Sequence, residues 1–126
     1  IHARPEETTF LGPASHIGHG AVLHGCRIEG HVLVGMNAVI NDGAVLEEGS
    51  VVASGAVVMA GARVESRTMV AGVPAVVKGS IDDDREALLW LGHTFYQSLP
   101  PRYRENSAKI SLEEAQGFYG EAPEPD

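Results

Sequence analysis

A chain of 126 residues, 44% of them hydrophobic, has the length of one domain and enough apolar material for a buried core. A formal charge of -8 with no basic cluster argues against nucleic acid or an anionic membrane surface as partner, because neither is attracted to an acidic protein. One cysteine forms no internal disulfide, which fits a reducing, cytoplasmic setting, and no apolar run approaches membrane-spanning length, so the expectation is a soluble protein.

The chain opens "IHARPEE", with no methionine and no charged segment leading into an apolar one, which predicts that sequence is missing upstream. Residues 15 to 26, "SHIGHGAVLHGC", gather three histidines and three glycines. From Ile28 an aliphatic residue then returns at every sixth position, through Val34, Ile40, Leu46, Val52, Val58, Val64, Val70 and Val76. Four places after these stand Val32, Ala38, Ala44, Ser50, Ala56, Ala62 and Thr68. Neither a helical stripe nor a meander has that period. A parallel β-helix does: three six-residue faces close one triangular coil, the aliphatic side chain points inward, and the small one fills the narrowing corner. Gly43, Gly49, Gly55 and Gly61 fall at the turns, where positive φ costs least without a Cβ. The β-helix is expected over residues 1–79, with coils about 4.8 Å apart.

The period ends after "AGVPAVVKG". A helix is expected over residues 80–99, packed on the β-helix. Asp82, Asp83 and Asp84 stand at its positive end, and Leu88, Leu91 and Phe95 form a stripe with Leu89 and Tyr96 beside it. Pro100-Pro101 should stop it. Residues 100–126 read as a tail with a short helix at Ser111, whose spacing to Glu114 forms a capping box, and with a disordered end, "GEAPEPD".

Counting back from Ile28 places Val22 inward, Cys26 in the small column and His24 near a corner. A frame starting at Ile17 places His19 at the equivalent point of the preceding face, and the two frames differ by one missing residue. A face is roughly 16–20 Å long. Nitrogens sharing one zinc ion lie within about 3.5 Å of each other, so a single chain hardly brings both rings to one ion. Three chains around a threefold axis can. His2 precedes His24 by 22 positions, one coil plus a four-residue insertion, and would lie at the same corner. The expected metal site is therefore His2 and His24 of one chain with His19 of the next, leaving a fourth position for water. Zinc suits it, and iron(II) or cobalt would too. The plainer alternative is a set of solvated turn histidines. Asp42, one coil on from His24, could orient that ring, with His16 as a further outer member. Cys26 reads as an inert core thiol, His31 and His93 as surface or subunit-contact residues, and Trp90 as core or interface.

"IHA", "HIGHGAVLHGC", "LVGMNAVINDGAV" and "AGVPA", in that order, resemble the γ-class carbonic anhydrase family, within the hexapeptide-repeat subgroup associated with phenylacetate and carnitine metabolism. The resemblance covers about residues 1–98. It implies a left-handed coil, against the usual right-handed crossover. It also implies a homotrimer with zinc on His2, His19 and His24 and a small-molecule substrate, carbon dioxide, which zinc-bound hydroxide would convert to bicarbonate. Glu6 or Glu7 would carry the proton away, and Tyr96 matches a tyrosine that members of the family bring near the site. The coil holding the family's arginine, aspartate and amide residues is not in this chain. Two rival functions share the repeat: an acyl-CoA transferase or thioesterase using histidine as base, and a non-catalytic metal-binding scaffold.

Overall fold

The computed structural model describes residues 1–119 and shows a parallel β-helix followed by two helices. Ten two-residue strands carry the coils: β1 (Phe10–Leu11), β2 (His16–Ile17), β3 (Val22–Leu23), β4 (Arg27–Ile28), β5 (Leu33–Val34), β6 (Val39–Ile40), β7 (Val45–Leu46), β8 (Val51–Val52), β9 (Val57–Val58) and β10 (Arg63–Val64). Two longer strands, β11 (Thr68–Ala71) and β12 (Val76–Ser80), close the end. Stacking gives three flat sheets, one per face: β1-β4-β7-β10, β2-β5-β8-β11-β12 and β3-β6-β9. All pairings are parallel except β11 with β12.

The period of six builds this architecture directly. Ile28, Val34, Ile40, Leu46 and Val52, inward from all three faces, are fully buried in one core, with Ala38, Ala44, Ser50 and Ala56 equally buried beside them. Each buried aliphatic side chain stabilises the prism by about 1.5–3 kcal/mol. The corners are three columns of left-handed residues: Ala14, His31, Gly49 and Arg67; Gly20, Asn37 and Gly55; Gly25, Gly43 and Gly61.

Two details of phase differ from expectation. The inward residue of the third face is Leu23, fully buried, while Val22 is 49% exposed. The shortened step lies between Leu23 and Ile28, so a count back from Ile28 loses register there; Val22 pairs with Val39 and Leu23 with the inward Ile40. In consequence His24 follows its inward residue directly, whereas His19 comes two places after Ile17, and the two are not equivalent positions. At the other end Val76 is exposed rather than inward, because the chain turns back after β11 and β12 runs antiparallel to it.

The chain forms two compact units, one from Ile1 to Thr94 and one from Phe95 onward. Helix α1 (Asp83–Asn106) begins where Asp82 caps it, its Oδ1 accepting from the Arg85 amide at 2.9 Å. Arg67, in a corner column, ties this first turn to the β-helix through Asp83 and Glu86. The helix runs through Pro100 and Pro101 instead of stopping before them. It has no buried residue, so water can take the place of the hydrogen bonds the prolines remove, which makes their cost tolerable. The stripe Leu88, Leu91 and Phe95 is exposed. The face turned to the β-helix carries Glu86, Leu89, Trp90 and His93 instead, with Trp90 against His31 at 4.4 Å between ring centroids. In the second unit, α2 (Leu112–Tyr119) opens with a reciprocal capping box: the Ser111 amide donates to Glu114 Oε2 at 2.7 Å and the Glu114 amide to Ser111 Oγ at 3.1 Å. The terminal "GEAPEPD" lies outside the described residues. Among the described residues no helix is long and apolar enough to cross a membrane.

Candidate functional site

Stacking of coils brings His2, His24 and Asp42 to one corner. His2 forms a parallel bridge with His24, its amide donating to Leu23 O at 2.9 Å and its carbonyl accepting from the Gly25 amide at 3.0 Å. The insertion between His2 and β1 loops out, and Thr9 closes it: Thr9 Oγ1 donates to His2 O at 2.6 Å and accepts from the Gly25 amide at 2.9 Å. Asp42 stands one coil further along, in the turn after β6.

Three side chains then form a relay. Nδ1 of His24 is hydrogen-bonded to Asp42 Oδ1, and Nε2 of His24 lies 2.9 Å from Nδ1 of His2. An ionised carboxylate only accepts, so His24 donates through Nδ1, and in the neutral ring the lone pair is then on Nε2. The hydrogen bond from His24 holds the Asp42 carboxyl below its ordinary range; desolvation opposes this in part, and Arg4 adds to the lowering. Arg4 itself bridges two acids, donating to Asp42 Oδ2 at 3.0 Å and to Glu7 Oε2 at 3.1 Å. Glu7, His24 and Asp42 each offer a ligand atom within 4.8 Å of the others. Burial pushes the Cys26 thiol up, offset in part by a backbone hydrogen bond at His24, and leaves it a core residue beside the site.

The other expected site residues lie elsewhere. His19 precedes Gly20 in the next corner column, where its carbonyl accepts from the Asn37 amide. Glu6 is exposed in the inserted loop, and Tyr96 belongs to the second unit. His16 lies on β2 and lines a cavity whose walls include none of His2, His24 or Asp42. Arg4 and Thr9 were not legible as site residues in the sequence. They sit in the insertion, where the period gives no phase, and the only signal was a lone arginine among acids in "RPEE".

The donor set fits a metal ion as far as one chain can supply it. Nitrogens bound to one tetrahedral zinc lie about 3.3–3.5 Å apart, and His2 Nδ1 and His24 Nε2 would need to part only slightly to reach that spacing.

No family profile matches the chain. It is 42% identical over 116 residues to the carnitine operon protein CaiE of Escherichia coli K12, a match covering 92% of this chain and 57% of that protein. Among solved structures it resembles a candidate acetyltransferase of Bacillus cereus, with TM-score 0.80, 27% identity, and coverage of 84% of this chain and 62% of the other. It also resembles a hexapeptide transferase family protein of Anaplasma phagocytophilum, with TM-score 0.75, 31% identity, and coverage of 81% and 60%. The chain thus spans little more than half the length of the curated relative. These likenesses do not reproduce the carbonic anhydrase subgroup, but the repeat, the stacked coils and the overlap with both structures show a left-handed β-helix built of hexapeptide repeats.

Proposed function

We propose that this corner performs acyl transfer or hydrolysis on a thioester of the acyl-coenzyme A class, with His24 as general base. The observation that carries the reading is the bond between His24 and Asp42, which fixes the ring and leaves Nε2 as its basic nitrogen. The acetyltransferase description of the Bacillus cereus structure and the transferase description of the Anaplasma phagocytophilum one favour the same class. In this scheme Nε2 takes the proton of an attacking hydroxyl, amine or water. The nucleophile adds to the thioester carbonyl, the carbon–sulfur bond breaks, and the departing thiolate receives the proton back. Asp42 stabilises the imidazolium that forms in between, and Arg4 keeps that carboxylate oriented.

One observation favours a second reading: Nε2 of His24 faces another imidazole at 2.9 Å instead of open solvent. In that reading His2 and His24 hold a zinc ion together with His19 of a neighbouring subunit in a homotrimer. A bound zinc would supply hydroxide at neutral pH for hydration of carbon dioxide. Asp42 would orient the His24 ring, and Glu7, tied back by Arg4 in the same corner, would pass on a proton.

Acetyl-coenzyme A turnover with and without amine or hydroxyl acceptors, together with metal content, separates the two. General-base chemistry predicts turnover that survives chelation and falls about 10²–10⁴-fold in His24→Ala. Turnover abolished by chelation, with one ion per chain and bicarbonate formed from carbon dioxide, would overturn it in favour of the metal reading. A loss of the ion in His19→Ala would then place that ring in the shared site.

A further inference from the structure

The described residues hold a second set of imidazoles, unrelated to the first corner. Under the start of α1 lies a cavity of about 170 Å3, within the first unit. Val32 and Leu33 line the β-helix side and Leu88 and Leu89 the helix side, while His16, His31, His93 and Trp90 bring four rings to it. Trp90 stands between two of them. Its centroid is 4.4 Å from His31 at a tilt of 48°, and 5.7 Å from His93 at a right angle. The edge-on pair has the geometry in which aromatic rings attract one another, the tilted pair lies within contact range, and a further planar ring can extend the group.

Two local features accompany this geometry. His31 has φ +58°, as Ala14 and Arg67 of the same corner column have φ +56° and +52°. The left-handed conformation is the one glycine adopts without strain, so glycine is tolerated at 31. Gly92 sits inside α1, where alanine would favour the helix, yet an added Cβ there would meet nothing within 4 Å. Sterics of the fold therefore do not require glycine at 92. What its missing side chain preserves is open volume, since Gly92 lines the cavity.

We infer that this cavity is a binding site for a small planar aromatic molecule of one ring, seated against Trp90 and His31. The size suits the class: an apolar cavity of roughly 150 Å3 in another protein takes up benzene, and this half-open one has room for a ring of that size. Apolar walls with a few imidazole nitrogens suit a ring bearing one hydrogen-bonding group. These histidines do not form a metal cluster among the described residues.

Phenol is the probe, and Trp90, the single tryptophan of the chain, is the reporter. A fluorescence titration of the native protein should show a saturable change. Gly92→Leu fills the space while favouring the helix, and should weaken binding at least about tenfold with unchanged far-ultraviolet dichroism. His31→Gly relieves the left-handed strain, so it should fold at least as well and also bind about tenfold more weakly. Cyclohexanol, of similar size without an aromatic face, should bind more weakly than phenol. An unsaturable response, phenol binding unchanged in both variants, or cyclohexanol bound as tightly would each overturn the inference. His24→Ala should leave phenol binding intact, so failure of the thioester reading would not disturb this one.

Discussion

Nδ1 of His2 lies 2.9 Å from Nε2 of His24, although 22 positions separate the two residues in the chain. The contact depends on the segment around His2 adding itself to a coil edge, and Thr9 is what fastens it there. Thr9→Val keeps the shape and removes both hydroxyl bonds. It should cost about 0.5–1.5 kcal/mol. Amide exchange at Gly25 should quicken selectively, while amides of β5 to β9 stay protected.

The one-residue slip before Ile28 has an energetic signature. Leu23→Ala should cost about 2–5 kcal/mol, because it opens a cavity in the centre of the prism. Val22→Ala, on an exposed position, should stay within about 0.5 kcal/mol. Urea midpoints of the two variants test this, and the reverse order would return Val22 to the inward column.

Ser50 occupies the small column between Ala44 and Ala56, fully buried, and its hydroxyl has no hydrogen-bond partner among the described residues. Alanine fits the equivalent positions six residues before and after. Ser50→Ala should therefore raise stability by about 1 kcal/mol, since an unsatisfied buried hydroxyl is removed with little loss of packing. Thermal denaturation would read this as a higher Tm.

Cys26 is buried and its thiol is pushed up by that burial, so little thiolate is present near neutral pH. A thiol reagent should leave the native chain unmodified over a time in which the urea-unfolded chain reacts fully. Rapid native labelling would mean that the corner holding His24 opens readily.

Glu114 is held below the ordinary carboxylate range by hydrogen bonds from Ser111, the backbone amide first and then the side chain. A carboxyl whose folded pKa is lowered contributes stability above its unfolded value and loses it as pH falls through the folded one. The α2 signals in an NMR titration should therefore broaden or shift toward coil in acid, below about pH 4. Glu114→Gln should retain the cap and flatten that dependence.

The β-helix was legible because its signal is redundant. Nine aliphatic residues at one spacing, with small residues between them, satisfy only one architecture, and an error at any single position would not change the reading. The corner of His24 was partly legible by the same arithmetic, since Asp42 lies 18 residues on and the coils stack at that interval. Arg4 and Thr9 were not, because an insertion carries no phase. The end of α1 was misread for a different reason: proline penalties are local, but whether a helix survives them depends on what replaces the lost bonds, and solvent exposure decides that.

By itself, then, the amino-acid order determined the repeat, the buried column and the corners where glycine belongs, because each follows from a period that every coil repeats. Only the tertiary structure decided which residue bears the slip, which face of α1 meets the prism, and that His2 reaches His24 while His16, His31, His93 and Trp90 gather around a cavity. Those relationships join residues up to 77 positions apart, and their geometry depends on how coils and helix pack in three dimensions, which no local period encodes.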